Sequence, residues 1–326
     1  MSTPWQNASE MPSDGRMHLP LALIPVLLLL AGMLLSRVDV CMVSSVVGCL
    51  RGEWRKAQIV LVITTAIAVV LLVFTALGEL QPPQLPQCWW VPAGGLLFGF
   101  ASARNQGCFL GSSLQLTRGD GRAWLTALGW ILGFRLSGVV QPVEALQASP
   151  LRIATATTLL IVLTLWSLRM PLSPPLQRLR RGPIAPDQMT RSIWVASLLC
   201  GSLLALVDHD GWHWDPSSLA QALSQAPHWV ASPRTVATSE LFGTVLLLGM
   251  ALEAWIRDRF HWRPASWCDL PRLGWGILMA MGSVLALGGN DSQLFRYLPG
   301  GSPHAWLALP AMMLGIWLSL ISSRDC

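Results

Sequence analysis

The sequence predicts an all-α integral membrane protein, an inverted repeat of transmembrane helices whose re-entrant, broken helices meet near the midplane. Three observations predict it: charge is scarce, apolar runs of near-spanning length recur, and the chain resembles itself at a fixed offset. Of 326 residues, 52% are hydrophobic and only 12% charged, and the mean hydropathy is +0.50. A soluble domain is about one quarter charged, too much for this chain to match. Crossing a bilayer as helix takes roughly 20 mostly apolar residues.

Taken in order, residues 1–18 form a polar tail of mixed charge. The apolar run 19–35 lacks an A-x-A cleavage pattern and reads as a retained first helix. Clear runs follow at 57–78, 123–140, 153–168, 193–207, 241–255 and 305–321, and two shorter ones at 89–103 and 273–287. Each short run leads into a polar, glycine-containing stretch, the pattern of a re-entrant segment rather than a span. Arginine placement orients the chain. The loop 169–191 holds five arginines and one aspartate and belongs in the cytoplasm, as do Arg51, Arg55, Lys56, Arg257, Arg259, Arg263, Arg272 and the C-terminus. Segments 79–87 and 141–150 carry no basic residue and belong outside.

A shift of 182 positions gives a repeat without gaps: Gly94 falls on Gly276, Leu96 on Leu278, Gly107 on Gly289, Gly119 on Gly301, Trp124 on Trp306, Leu125 on Leu307 and Gly133 on Gly315. By the arginine rule the two copies enter from opposite sides. The expected organisation is therefore a tail (1–18), a first repeat (19–168), a cytoplasmic loop (169–191) and a second repeat (192–326). Inverted repeats place the solute where their broken helices meet.

The chemistry concentrates in three segments. In GGLLFGFASARNQGCFLGSSLQLTRGDGR (94–122) an apolar helix breaks into Arg104, Asn105, Gln106, Gly107 and Cys108, followed by Gly111, Ser112 and Ser113. Irregular polar backbone at membrane depth survives only buried in protein or lining a wet cavity. A half-helix starting there turns its free N–H groups and dipole toward an anion. An ordinary extramembrane loop is the plainer alternative. Its partner, GWGILMAMGSVLALGGNDSQLFRYLPGGSPH (274–304), repeats the pattern, with Asn290, Asp291 and Ser292 lining the cavity or capping the next helix. In RVDVCMVSSVVGCLRGEWRK (37–56), Cys41, Ser44, Ser45, Gly48 and Cys49 make a small polar stripe that suits lining or helix packing.

Arg135, inside the run 123–140, reads as an electrostatic attractor or as half of a buried pair, whereas Glu253 is close enough to its helix end to reach water. The tract DHDGWHW at 208–214 reads as a wetted external loop with interfacial tryptophans. None of the seven cysteines forms a C-x-x-C pair or a zinc-like cluster with histidine. No metal or cofactor is expected. The formal charge of +5 comes almost wholly from arginine, in no block long enough to track nucleic acid. There is no P-loop pattern for ATP-driven transport, and no enzymatic activity is expected.

The order and spacing of VDVCMVSSV, GLLFGFASARNQGC, RGDG and GILMAMGSVLALGGNDS resemble the YeeE/YedE family of sulfur-transport membrane proteins. The resemblance covers most of the chain outside the tail and the Arg-rich loop. The resemblance implies a helical bundle with re-entrant loops meeting centrally in an hourglass-like shape, and uptake of thiosulfate along a line of thiols. Cys41 matches the first family cysteine and Cys108 the central one. The second-half cysteine has no counterpart, because Gly289 or Asn290 stands in its place.

The expected pathway is thus Cys41, Cys108, Arg104, Asn105, Gln106, Ser112, Asn290, Asp291 and Arg135. Neutral thiols, the expected state at membrane depth, offer weak S–H contacts to a soft sulfur atom, while Arg104 or Arg135 attracts the dianion. The partners implied are a small inorganic sulfur anion, the lipid of the inner (plasma) membrane and a cytoplasmic sulfur-transfer protein. Two other readings compete: a carrier that forms a persulfide on Cys108 and hands sulfur to a cytoplasmic partner, and a membrane scaffold without a solute path.

Overall fold

The computed structural model describes residues 20, 22–78, 82, 84–137, 149–170, 186–209, 214–224 and 233–322. The tail, most of the Arg-rich loop, most of 141–150 and the last four residues lie outside the described residues. All regular elements described are helical. They are α1 (Leu23–Val38), α2 (Met42–Leu50), α3 (Arg55–Ala76), α4 (Val91–Asn105), α5 (Phe109–Thr117), α6 (Arg122–Leu136) and α7 (Pro150–Leu168). After these come α8 (Pro186–His209), α9 (Pro216–Ser224), α10 (Pro233–Ile256) and α11 (Pro271–Leu285). A turn at Asn290–Ser292, continued by a π-helical stretch at Gln293–Tyr297, forms α12, and α13 is Ala305–Ser322.

Among the described residues, five helical stretches are long and apolar enough to cross a membrane: Leu23–Leu50, Arg55–Ala76, Pro150–Leu168, Arg191–Asp208 and Ala305–Ser322. A sixth is the pair Trp267–Leu285 and Asn290–Tyr297, bent by 45° at its break. The run 123–140 is shorter than its apolar length suggests: α6 has 15 residues, like α4 and α11.

The helices pair by exchange. α4 packs on α13 and α11 on α6; α1 packs on α10 and α8 on α3; α4 meets α11 and α1 meets α8. Swapping α1–α6 for α8–α13 carries each pairing onto another, as a two-fold axis requires. The helix α7, packed on α3, falls outside this exchange. Small residues carry the close crossings. A Cβ built on Gly95 would lie 2.8 Å from the Ala308 carbonyl, and one on Gly276 2.5 Å from that of Thr126.

These contacts refine the repeat. Gly95 and Gly276 play the same part 181 positions apart, while their partners Thr126 and Ala308 are 182 apart. At the breaks, Gln106 (φ 63°) and Leu287 (φ 59°) share the left-handed conformation, again 181 apart. The register gains one residue between the break and α13. The π-helical stretch Gln293–Tyr297 lies in that interval, and a π-turn is the usual way for a helix to absorb one inserted residue. A gapless shift of 182 is therefore correct for the second part of the repeat and one residue off for the first.

Candidate functional site

Four short helices begin at the centre of the exchange. Cys41 and Cys108 are the extended residues that open α2 and α5; Asp215 immediately precedes α9, and Gly289 opens α12. The thiol of Cys108 lies 3.8 Å from the sulfur of Cys41, and its own sulfur accepts the Met42 N–H at 3.4 Å. Cys108 is fully buried and Cys41 partly so. Gly111 makes the approach possible, since a Cβ there would stand 2.5 Å from the Cys41 sulfur. Ser44 and Ser45 donate to the Cys41 carbonyl at 3.0 and 2.8 Å, tightening the first turn of α2.

From the thiols a polar seam runs to the second half. The Phe109 N–H, first in α5, donates to Asn290 Oδ1 at 3.2 Å. The next residue, Asp291, accepts the Ser217 N–H at 2.9 Å. Asp215 accepts the Ser217 hydroxyl at 2.7 Å and caps α9 through the Ser218 N–H at 3.0 Å. The Phe109 ring packs among Phe98, Trp130 and Phe134 at 5.4, 4.7 and 6.2 Å between centroids, and this closes one wall with apolar surface.

The two halves differ in charge at this seam. Each short helix points a partial positive charge at its start. Carboxylates meet it in the second half, Asp215 at α9 and Asp291 at α12. In the first half, α2 and α5 are met by thiols, which leaves their dipoles available to an outside anion.

Asn105 and Ser112 hold the break together. Asn105 donates to the Gly107 carbonyl at 3.0 Å and to the Ser112 hydroxyl at 2.9 Å, and it accepts from Thr126 at 2.7 Å. Gln106 sits at the left-handed corner, where its side-chain oxygen accepts from Arg272 at 3.1 Å. Arg104 donates to Ser322 at 2.9 Å and lies over the Phe100 ring, and Arg135 donates to the Ser224 carbonyl at 3.2 Å. Both arginines bond residues away from the thiol pair. Asn290 is wholly buried, and among the described residues its Nδ2 has no partner.

Three sequence expectations change. The residue equivalent to Cys108 is Gly289, not Asn290, and a Cβ there would fall 2.4 Å from an Asp291 oxygen and 2.8 Å from the Phe109 ring. The place of a second-half thiol is thus filled, not merely vacant. Glu253 does not reach water: it is buried and paired with Arg257 one turn on. The tract 208–214 is not a wetted loop at its ends, because Asp208 is buried against Arg296 at 3.2 Å and Trp214 stacks on Phe295 at 6.4 Å; residues 210–213 lie outside the described residues. Asp215 and Ser217 did not stand out in the sequence. The signal was there in D-P-S-S, an N-cap acid followed by proline at the first helical position.

A chain of apolar helices, two of them broken around a polar seam, is a multi-pass membrane protein of the transporter type. A family model described as sulphur transport matches residues 39–318, and the chain belongs to that family. A search of the curated proteins returned no match.

Proposed function

We propose that the protein is a transporter or channel of the inner (plasma) membrane that takes up thiosulfate past Cys41 and Cys108. The observation that carries this reading is the thiol pair, 3.8 Å apart at the starts of two helices. An anion gains there from two helix dipoles. The thiols give its sulfur end weak S–H contacts and impose little cost on release. Asp215 and Asp291 make the opposite half repellent to the same anion, so the solute keeps to the side of Cys41 and Cys108.

In this reading Asn105, Gln106, Ser112 and Asn290 shape the break, and the unpartnered Nδ2 of Asn290 is a further donor for an oxyanion. Arg104 and Arg135 act at longer range, by their charge. Residues 19–168 and 192–326 are the two repeats, with the loop 169–191 and the C-terminus in the cytoplasm, where a sulfur-transfer protein receives the solute.

The test is protection. Thiosulfate should slow alkylation of Cys41 by a small maleimide in membranes, and equal rates with and without the anion would overturn the reading. The carrier reading draws on the same proximity of two thiols. Intact mass after exposure to thiosulfate separates the two: conduction leaves the mass unchanged, whereas in a carrier the Cys108 thiolate attacks the outer sulfur of thiosulfate, the S–S bond breaks, sulfite leaves and the protein gains one sulfur atom.

A further inference from the structure

Where α1 ends, cations gather with too few acids among them. Asp39 accepts both Arg118 at 2.7 Å and Lys56 at 3.0 Å. The carbonyl of Ser36, in the last turn of α1, accepts from Arg118 at 3.4 Å and from Arg259 at 2.9 Å. Two guanidinium groups are thereby drawn to one oxygen. Arg257, close by, is already matched by Glu253. That leaves Lys56, Arg118 and Arg259 facing the single carboxylate of Asp39, a surplus of two positive charges.

The hydrogen bonding is also incomplete. Among the described residues, the Nε atoms of Arg118 and Arg259 are buried without a partner, and so is the hydroxyl of Ser36, a residue with no exposed surface. Buried donors left unmade are costly, and they mark a place where acceptors are missing. Burial and the neighbouring Arg118 both lower the pKa of Arg259, so the cluster gains from an added negative charge. The cluster is open to water on the side of Lys56, whose side chain is 41% exposed. It also connects to the backbone of Cys41: Lys56 donates to Ser44 at 3.2 Å, and Ser44 donates to the Cys41 carbonyl at 3.0 Å.

We propose that Lys56, Arg118 and Arg259, gathered around Asp39 and Ser36, form a second binding site, for a small divalent oxyanion, next to the thiol pair. A surplus of two charges matches a dianion, and the groups come from the end of α1, the start of α3, the end of α5 and the segment after α10. Naming thiosulfate as the physiological ligand rests on the transport reading; the anion site itself does not. In the orientation proposed above it faces the cytoplasm and holds the solute on exit.

The experiment is equilibrium dialysis of labelled thiosulfate against the purified full chain in lipid-free detergent, with uptake into proteoliposomes measured in parallel. Lys56→Met and Arg259→Gln should each weaken binding about tenfold, with thermal midpoints showing that both fold. Lys56→Arg should bind as the wild type does. Cys108→Ala should keep this binding while losing uptake. Unchanged affinity in Lys56→Met and Arg259→Gln would overturn the site, as would equal weakening by Lys56→Arg. Displacement of thiosulfate by phosphatidylglycerol but not by sulfate would overturn it too, by showing a lipid-headgroup site. If the wild type takes up thiosulfate and the variants bind normally, the site fails and the transport reading stands. If binding follows the cluster and the wild type shows no uptake, the transport reading fails and the site stands.

Discussion

At the residue scale, the thiol pair depends on what is missing beside it. Gly111 has no side chain where a methyl group would press on the Cys41 sulfur at 2.5 Å. Gly111→Ala should therefore force the thiols apart and cut thiosulfate uptake at least tenfold, with the protein still in the membrane; uptake within twofold of wild type would contradict this. Gly289→Cys, which places a thiol at the position equivalent to Cys108, should not improve transport. It should lower the thermal midpoint, because its Cβ meets Asp291 and Phe109. Asn105→Ala removes three hydrogen bonds from a fully buried group. Leaving such partners unsatisfied costs about 1–3 kcal/mol each, so the midpoint should fall by several degrees. Cys41 and Cys108 drew notice in the sequence through the family resemblance, and their 3.8 Å approach needed the fold. Asn105 was legible as polar at membrane depth. Whether its donors face a solute or the neighbouring backbone is decided by a turn of the chain that residue types do not encode.

At the element scale, the breaks have a common construction. The Gly107 N–H closes on the Ser102 carbonyl at 3.0 Å and the Gly288 N–H on Ser283 at 2.8 Å, each beyond a left-handed corner residue. The double-glycine and Asn-Gln-Gly patterns made both breaks readable. The one-residue change of register was not readable, because a π-turn leaves no residue signature and only contacts reveal it. The start of α6 shows a different device. Asp120 accepts the Arg122 N–H at 3.1 Å and its guanidinium at 2.8 Å. Hydrogen bonding to Arg122 holds the Asp120 carboxyl below its ordinary value of 3.8. A lowered folded-state pKa gives stability that is complete above the unfolded value and is lost as pH falls through the folded one. The midpoint of Asp120→Asn should lie below wild type at pH 6, and the difference should shrink as pH falls through and below the ordinary value of 3.8. A constant difference across that range would contradict the assignment.

At the scale of the whole molecule, the exchange of pairings means that each half completes the other's packing. Gly99 shows how closely: a Cβ there would lie 1.9 Å from the Met312 carbonyl of α13. Gly99→Leu should abolish stable insertion of the full chain, measured as loss of monodisperse protein after extraction, whereas Leu132→Ala on the exposed face of α6 should not. The repeat was visible in the sequence through tryptophan and through glycine, which serves the close crossings. The asymmetry of the seam, thiols in one half and carboxylates in the other, needed the fold, because Asp215 and Cys41 share no motif. In the proposed reading that asymmetry sets the route of the anion, and uptake tests it most directly. Labelled thiosulfate should accumulate in liposomes carrying the purified protein and should fail to accumulate with Cys108→Ala, although the variant is folded. Equal uptake by the variant and the wild type would contradict passage by the thiol pair.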